Sequence, residues 1–462
     1  MPPLDRSVRL LICLVVLVLG GGGGLAVSAH AQASASDTLG VDAAVQQALD
    51  NNFQAEIARR QETVAENNYS VGNAGFLPRL TVDGGYDATV SNTTQQFVDQ
   101  PEESIEGATS ENRAANASLR WTVFDGLGRL ATYDRLGAEA AQQQAATQEE
   151  VDVVVANVIE SYYDVARQQR QLQVFREAVA ISRERLRITQ TRREVGTASA
   201  LQVRQARVDL NADSAEALRQ TTELTNAKAE LNRLLGRSEA STGYTVTSTI
   251  DVDTSLAPEA LREAATSESP ALRQAQQARQ AAEAVQREVR SDWFPSVDLT
   301  AGYGYSQLDS ESGFLQRQTS NDVTYGVSLT FDLFDGMNRW RRQQNAELRA
   351  ANAETAVEDV RARLSTELSS ALKDYRNRLR LVDLQRDNLA QAAQNVDLAL
   401  EQFEVGTITS VELREVQEQR IQAESQLLTA QFEAKQAEVE LLRLSGQLQD
   451  RVEAGGLARQ DP

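Results

Sequence analysis

The residues able to do chemistry are few, and most have another reading. One histidine, His30, and one cysteine, Cys13, occur in 462 residues. Both fall in an N-terminal stretch laid out as a secretory signal: Arg6 and Arg9, an apolar run from Leu10 to Leu19, then small residues reaching Ala29-His30-Ala31. Cleavage there, with the exported chain starting near Gln32, leaves neither imidazole nor thiol, so the commonest general base and the usual ligands of zinc, copper and haem are gone. Cys13 sits inside the apolar run rather than after it, badly placed to carry a lipid. Gly20 to Gly24 belongs to the same discarded stretch and cradles no phosphate, and no nucleophile elbow is present. Acidic pairs such as Asp83 with Asp87, or Glu102 with Glu103, read as solvated charges. No catalytic, cofactor or metal site is expected. The formal charge of −20, one unit more negative without residues 1–31, turns the chain away from nucleic acid phosphate.

What polar spacing remains is structural in kind. Ser199 with Gln202, and Thr409 with Glu412, have the spacing of capping boxes, in which a hydroxyl and a longer side chain satisfy the free N–H groups at a helix start. Each follows a glycine, Gly196 or Gly406, suited to the left-handed residue that ends the preceding helix. Two helical hairpins are therefore predicted, with helices at 126–193 and 199–235, and again at 336–404 and 409–446. The first helix of each is about 100 Å long, and Val151, Val155, Val158, Tyr162, Val165 and Leu172 mark a heptad-like seam along one of them.

The recurrence is a duplication at an offset of about 210 residues: Leu119 to Gly126 returns as Leu329 to Gly336, and Val195-Gly196-Thr197 as Val405-Gly406-Thr407. Upstream the offset is about seven longer, aligning Phe76-Leu77-Pro78 with Trp293-Phe294-Pro295 and Gly85-Tyr86 with Gly302-Tyr303. Each copy carries two alternating segments ahead of its long helices, at about 79–91 and 114–125, then about 296–306 and 322–335. Leu80, Val82, Tyr86 and Val90 share one face; Thr81, Asp83 and Asp87 share the other. Roughly 10 alternating residues suffice for a tilted strand to cross an outer membrane. Phe76, Trp121, Phe124, Trp293, Phe294, Phe331 and Phe334 cluster where strands meet helices, as an interfacial belt would. The polar stretches 92–113 and 307–321 read as external loops. A soluble sandwich with one wet face is the competing reading of any single strand. Four strands do not close a barrel, and an open edge in lipid leaves backbone groups unpaired, so the chain must oligomerise. Two copies give eight strands and three give twelve with a wide lumen; the count alone does not choose.

The duplicated plan, the Phe-Asp-Gly element at 124–126 and 334–336, and the tips Glu194-Val195-Gly196-Thr197 with Leu201-Gln202-Val203 and Glu404-Val405-Gly406-Thr407 with Val411-Glu412-Leu413 together resemble the TolC family of outer-membrane efflux and type I secretion channels. The resemblance covers the whole exported chain. It implies an α+β membrane protein: a duplicated helix-strand-strand-helix repeat, four strands per chain in a trimeric 12-stranded β-barrel, and a long α-helical periplasmic barrel. Residues 1–31 are then the signal peptide, 32–245 the first repeat, and 246–462 the second with a C-terminal equatorial tail. It implies no enzyme but a passive exit duct in outer-membrane lipid, a homotrimer working with a periplasmic adaptor and an inner-membrane RND, ABC or MFS transporter. The adaptor would dock at Val195, Gly196, Thr197, Leu201 and Val203, and at Val405, Gly406, Thr407, Val411 and Leu413. Glu412 and Glu415 match acidic positions that ring the narrow entrance, where mutual repulsion would raise their pKa values. The family's Tyr–Arg–Asp lock is replaced by Phe403, Ile408 and Gln202, so closure must rest on packing and the gate is expected to open readily. A periplasmic coiled-coil adaptor or scaffold without a pore is the alternative; it leaves the four strands without a purpose.

Overall fold

A computed structural model describes residues 38–454 apart from 97, 100, 238–242 and 312–314; the signal segment and the end of the C-terminal tail lie outside the described residues. The first repeat runs β1 (Thr38–Leu39), α1 (Val41–Asn51), α2 (Phe53–Asn68), β2 (Arg79–Gln95), β3 (Glu103–Phe124), α3 (Gly128–Glu194) and α4 (Ala200–Leu234). The second runs β4 (Thr245–Val246), α5 (Pro258–Glu268), α6 (Pro270–Ser291), β5 (Ser296–Ser310), β6 (Arg317–Thr330), α7 (Asn338–Val405), α8 (Ser410–Ser445) and α9 (Leu448–Glu453). Helices α3 and α7 hold 67 and 68 residues.

The four long strands form one antiparallel sheet in the order β2-β3-β5-β6. Both faces of β2 and β6 are largely exposed, and no second sheet packs on it among the described residues: the other sheet is the two-residue pair β1-β4. A sandwich would cover one face, so that reading falls. The strands also reach further than their alternation predicts. β2 continues to Gln95 and β3 begins at Glu103, so most of 92–113, read as loop, is hairpin; 307–321 likewise narrows to the turn between Ser310 and Arg317. Ladder bonds such as those pairing Thr94 with Ser104 need only backbone groups, so the strand continues past the point where its hydrophobic alternation stops. At the other end β6 stops at Thr330 rather than near 335. The matching residues of β3, Trp121 to Phe124, stay extended because β5 pairs with them; β6 has no strand on that side.

Below the sheet the helices form a wall one layer thick. Near the strands the packing order is α2-α3-α6-α7; further down α4 and α8 take over, giving α4-α3-α8-α7. Where the two sets meet, Val151, Val155, Val158 and Tyr162 of α3 are buried with Val45 of α1, Leu231 and Leu234 of α4, Leu261 of α5, and Leu441 and Leu442 of α8. The predicted seam of α3 is thus the core of an equatorial belt. Polar ties fix its irregular segments. The Tyr162 hydroxyl donates to Leu39 O at 2.8 Å and accepts from Thr247 N–H at 3.2 Å. A fully buried Lys435–Glu438 pair at 2.8 Å also takes the Asp253 N–H at 2.9 Å, so the carboxylate that burial disfavours is satisfied twice.

Candidate functional site at the helical tips and the membrane junction

Both hairpin tips are built alike. Gly196 and Gly406 take φ of 82° and 85°, and behind them Thr197 N–H donates to Arg192 O at 2.8 Å and Thr407 N–H to Gln402 O at 2.9 Å. Both capping boxes form: Ser199 N–H donates to Gln202 Oε1 and Thr409 N–H to Glu412 Oε2, each at 2.7 Å. Of the docking residues, Val195, Gly196, Thr197, Leu201, Val405, Gly406, Thr407 and Val411 are exposed, whereas Val203 and Leu413 are buried inside the subunit. Those two shape the tips and offer no side chain to a partner, which corrects their place in the set. Phe403, 2 % exposed, packs with Ala399 and Leu413 while Ile408 leans on the same cluster. Gln202 does not join them; it is exposed and held by Ser199, a second correction. Glu412 and Glu415 share one exposed face a turn apart. Bonds from Thr409's N–H and hydroxyl hold the Glu412 carboxyl below its usual range within one chain, opposite in sign to the repulsion expected of a ring.

Sequence reading missed the residues that join the hairpins. Arg192, on the last turn of α3, donates to the carbonyls of Phe403 and Glu404 at the end of α7 and lies 4.6 Å from the centre of the Phe403 ring. One heptad back, Arg185 is buried and paired with Asp209 of α4 at 2.5 Å. Arg414 of α8 holds Asp213 of α4 at 2.7 Å, and Asp213 also accepts from Ser182 of α3. The seven-residue spacing of Arg185 and Arg192 places both on one face of α3; only the partners were unreadable, because they lie about 20 to 220 residues away in sequence.

At the other end, all seven aromatic residues sit at the strand–helix junction. They are not all free to meet lipid. Trp121 Nε1 donates to Phe76 O, and Trp293 Nε1 to Gln343 Oε1, each at 2.9 Å; Phe334 is 79 % exposed. Arg129 and Arg339, five residues after each Phe-Asp-Gly phenylalanine, were also missed. Asp125 and Asp335 accept their backbone N–H groups at 2.9 and 2.8 Å. The guanidinium of Arg129 donates to Thr122 O and lies 5.4 Å from the Phe76 ring centre; that of Arg339 donates to Asp332 O and lies 5.1 Å from Trp293. Each arginine thus pins a strand end to the helix that follows it.

A duplicated strand pair with open edges, continued by long helical hairpins ending in paired tips, is the architecture shared with solved outer membrane channels. The chain belongs to the outer membrane efflux protein family, whose pattern matches residues 44–237 and 261–447. It is 23% identical over 417 residues to outer membrane protein TolC of Vibrio cholerae, covering 88% of this chain and 90% of that one. It is 21% identical over 413 residues to the cation efflux system protein CusC of Escherichia coli O157:H7, covering 87% and 85%. Among solved structures, the CmeC outer membrane channel of Campylobacter jejuni aligns with a TM-score of 0.71 at 15% identity, over 91% of this chain and 87% of that one; this likeness carries the fold alone. The protein is accordingly a TolC-family efflux duct of the outer membrane with its helices in the periplasm, and not an enzyme. The pore-free adaptor reading is set aside.

Proposed function

We propose that three copies of this chain close a twelve-stranded barrel in outer-membrane lipid, continued by a twelve-helix tunnel through which a periplasmic adaptor and an inner-membrane RND, ABC or MFS transporter pass their cargo. The observation that carries this is the four-stranded sheet with two open edges: in hydrocarbon each unpaired edge group costs several kcal/mol, and a ring of identical copies removes every edge. The exposed tip residues Val195, Thr197, Leu201, Val405, Thr407 and Val411 are the surface offered to the adaptor. Relatives named for nickel-cobalt-cadmium resistance, toluene efflux and alkaline protease secretion suit a wide conduit whose selectivity resides in the pump.

Glu412 and Glu415, three copies of each, would ring the periplasmic mouth and favour cations. Recording from purified protein in planar bilayers tests both levels. A cation-preferring conductance is expected, and Glu412→Gln with Glu415→Gln should lower that preference while conductance persists. An unaltered preference would remove the ring of carboxylates from the account, and no conductance at all would remove the duct.

A further inference from the structure

In each repeat one helix of the wall ends against the start of another: α4 against α2, and α8 against α6. The duplication fixes the matching positions. Asn52 corresponds to Ser269 and Gln54-Ala55 to Ala271-Leu272 at the longer offset, while Leu234 corresponds to Leu444 and Gly236 to Gly446 at the shorter. Both joints are tight. A Cβ on Gly236 would lie 2.2 Å from Asn51 O and one on Gly446 2.8 Å from Glu268 O, the matching residue.

Their chemistry differs. Asn52, 4 % exposed, spans the first joint: its Oδ1 accepts from Gln54 N–H at 2.9 Å and from Ala55 N–H at 3.2 Å, and its Nδ2 donates to Leu234 O at 2.8 Å. One carboxamide thus satisfies the start of α2 and the end of α4 together. Ser269 holds nearly the same backbone, with φ −57° and ψ 121° against −70° and 128°, yet its side chain makes no cap bond although it is only 3 % exposed. The N–H groups of Ala271 and Leu272 and the carbonyl of Leu444 therefore keep no partner among the described residues. Ser269, Ala271 and Leu444 all line the half-open cavity of about 490 Å³ between α3, α6, α7 and α8.

We propose that this cavity binds a small molecule carrying a primary carboxamide and a positive charge, the amide taking at the second joint the place that the Asn52 side chain takes at the first. The chain supplies its own template for the amide, which must accept from the start of α6 and donate to the end of α8. The remaining walls select the charge. Glu149 and Asp152 of α3 and Glu367 of α7 line the cavity without an ion pair among the described residues, whereas its two arginines, Arg363 and Arg443, are engaged by Asp359 at 3.4 Å and Glu440 at 2.8 Å. A simple anion would suit the helix start but not three carboxylates. Every lining residue belongs to one chain, so the site does not depend on the ring of copies.

Glycinamide is the probe, added to the full exported chain purified in detergent at neutral pH. Saturation-transfer NMR should show it bound, and it should raise the unfolding temperature to a plateau. Acetamide, with the amide alone, and methylammonium, with the charge alone, should need about tenfold higher concentrations, the scale of one hydrogen bond to a charged group. Ser269→Asn supplies the side chain of the first joint; it should unfold at a higher temperature by itself and lose the response to glycinamide. Ala275→Leu, which fills the cavity from α6 without touching the joint, should lose that response too. Asn52→Ser should lower the unfolding temperature. The site is overturned if the unaltered protein does not respond, or if Ser269→Asn and Ala275→Leu respond as it does. An equal response to methylammonium overturns the amide, an equal response to acetamide overturns the charge, and an Asn52→Ser protein that unfolds at the unaltered temperature overturns the template.

Discussion

Asp152 illustrates how a single side chain can record the state of the wall. It lies on α3 beside a half-open cavity of about 490 Å³ between α3, α6, α7 and α8, and burial pushes its carboxyl up to about 6, against hydrogen bonds and nearby arginines that pull it down. A carboxyl with a raised folded-state pKa binds its proton more tightly when folded. Its contribution is therefore most favourable below about pH 4 and is lost as pH rises to about 6, at a cost on the order of 2–3 kcal/mol. Asp152→Asn should unfold at a higher temperature than the unaltered protein at pH 7.5 and at nearly the same temperature at pH 4. A difference between the two proteins that does not change across this window would show that burial is not what sets the group. Residues whose partners are local were readable from sequence: Ser199 with Gln202 and Thr409 with Glu412 lie three apart, so spacing alone implied the capping bond. Arg185, Arg192, Arg129 and Arg339 were not, because nothing in a linear pattern names a carbonyl contributed by another element.

Among the elements, the helices matched their sequence boundaries closely and the strands did not. Gly196, Gly406 and the two capping boxes declare where α3 and α7 end and α4 and α8 begin, while a strand keeps its backbone bonds after losing its apolar alternation, as β2 and β3 do. In the duct proposed above, the hairpins α3/α4 and α7/α8 are the units whose relative position would set the width of the tunnel mouth. Sequence predicts a weak closure there for want of the family's lock, and the packing of Phe403 is joined by a tie of different chemistry, Arg192 on the α7 carbonyls. A part-exposed hydrogen bond from a charged donor contributes about 1 kcal/mol, or about a fivefold change in an equilibrium. In single-channel records Arg192→Ala should raise the occupancy of the higher conductance level by about that factor, with helix content unchanged by circular dichroism. Records indistinguishable from the unaltered channel would show that the tie does not restrain the tip.

At the scale of the molecule the duplication was the strongest signal in the sequence, and it explains why one chain looks unfinished. At the strand–helix junction and the sheet edges the first repeat leans on the second without a reciprocal contact inside the chain, so Gly336, Leu77 and the outer edges of β2 and β6 stand open. What the strand count left undetermined was the number of copies, since it permits more than one closed barrel; only the family resemblance implied three. The direct test is the protein mass of the particle extracted from outer membranes in mild detergent, measured by light scattering with the detergent contribution subtracted. A mass near three exported chains, each somewhat below the 50.6 kDa of the full sequence, is the predicted result; a particle with the mass of one chain would contradict the account.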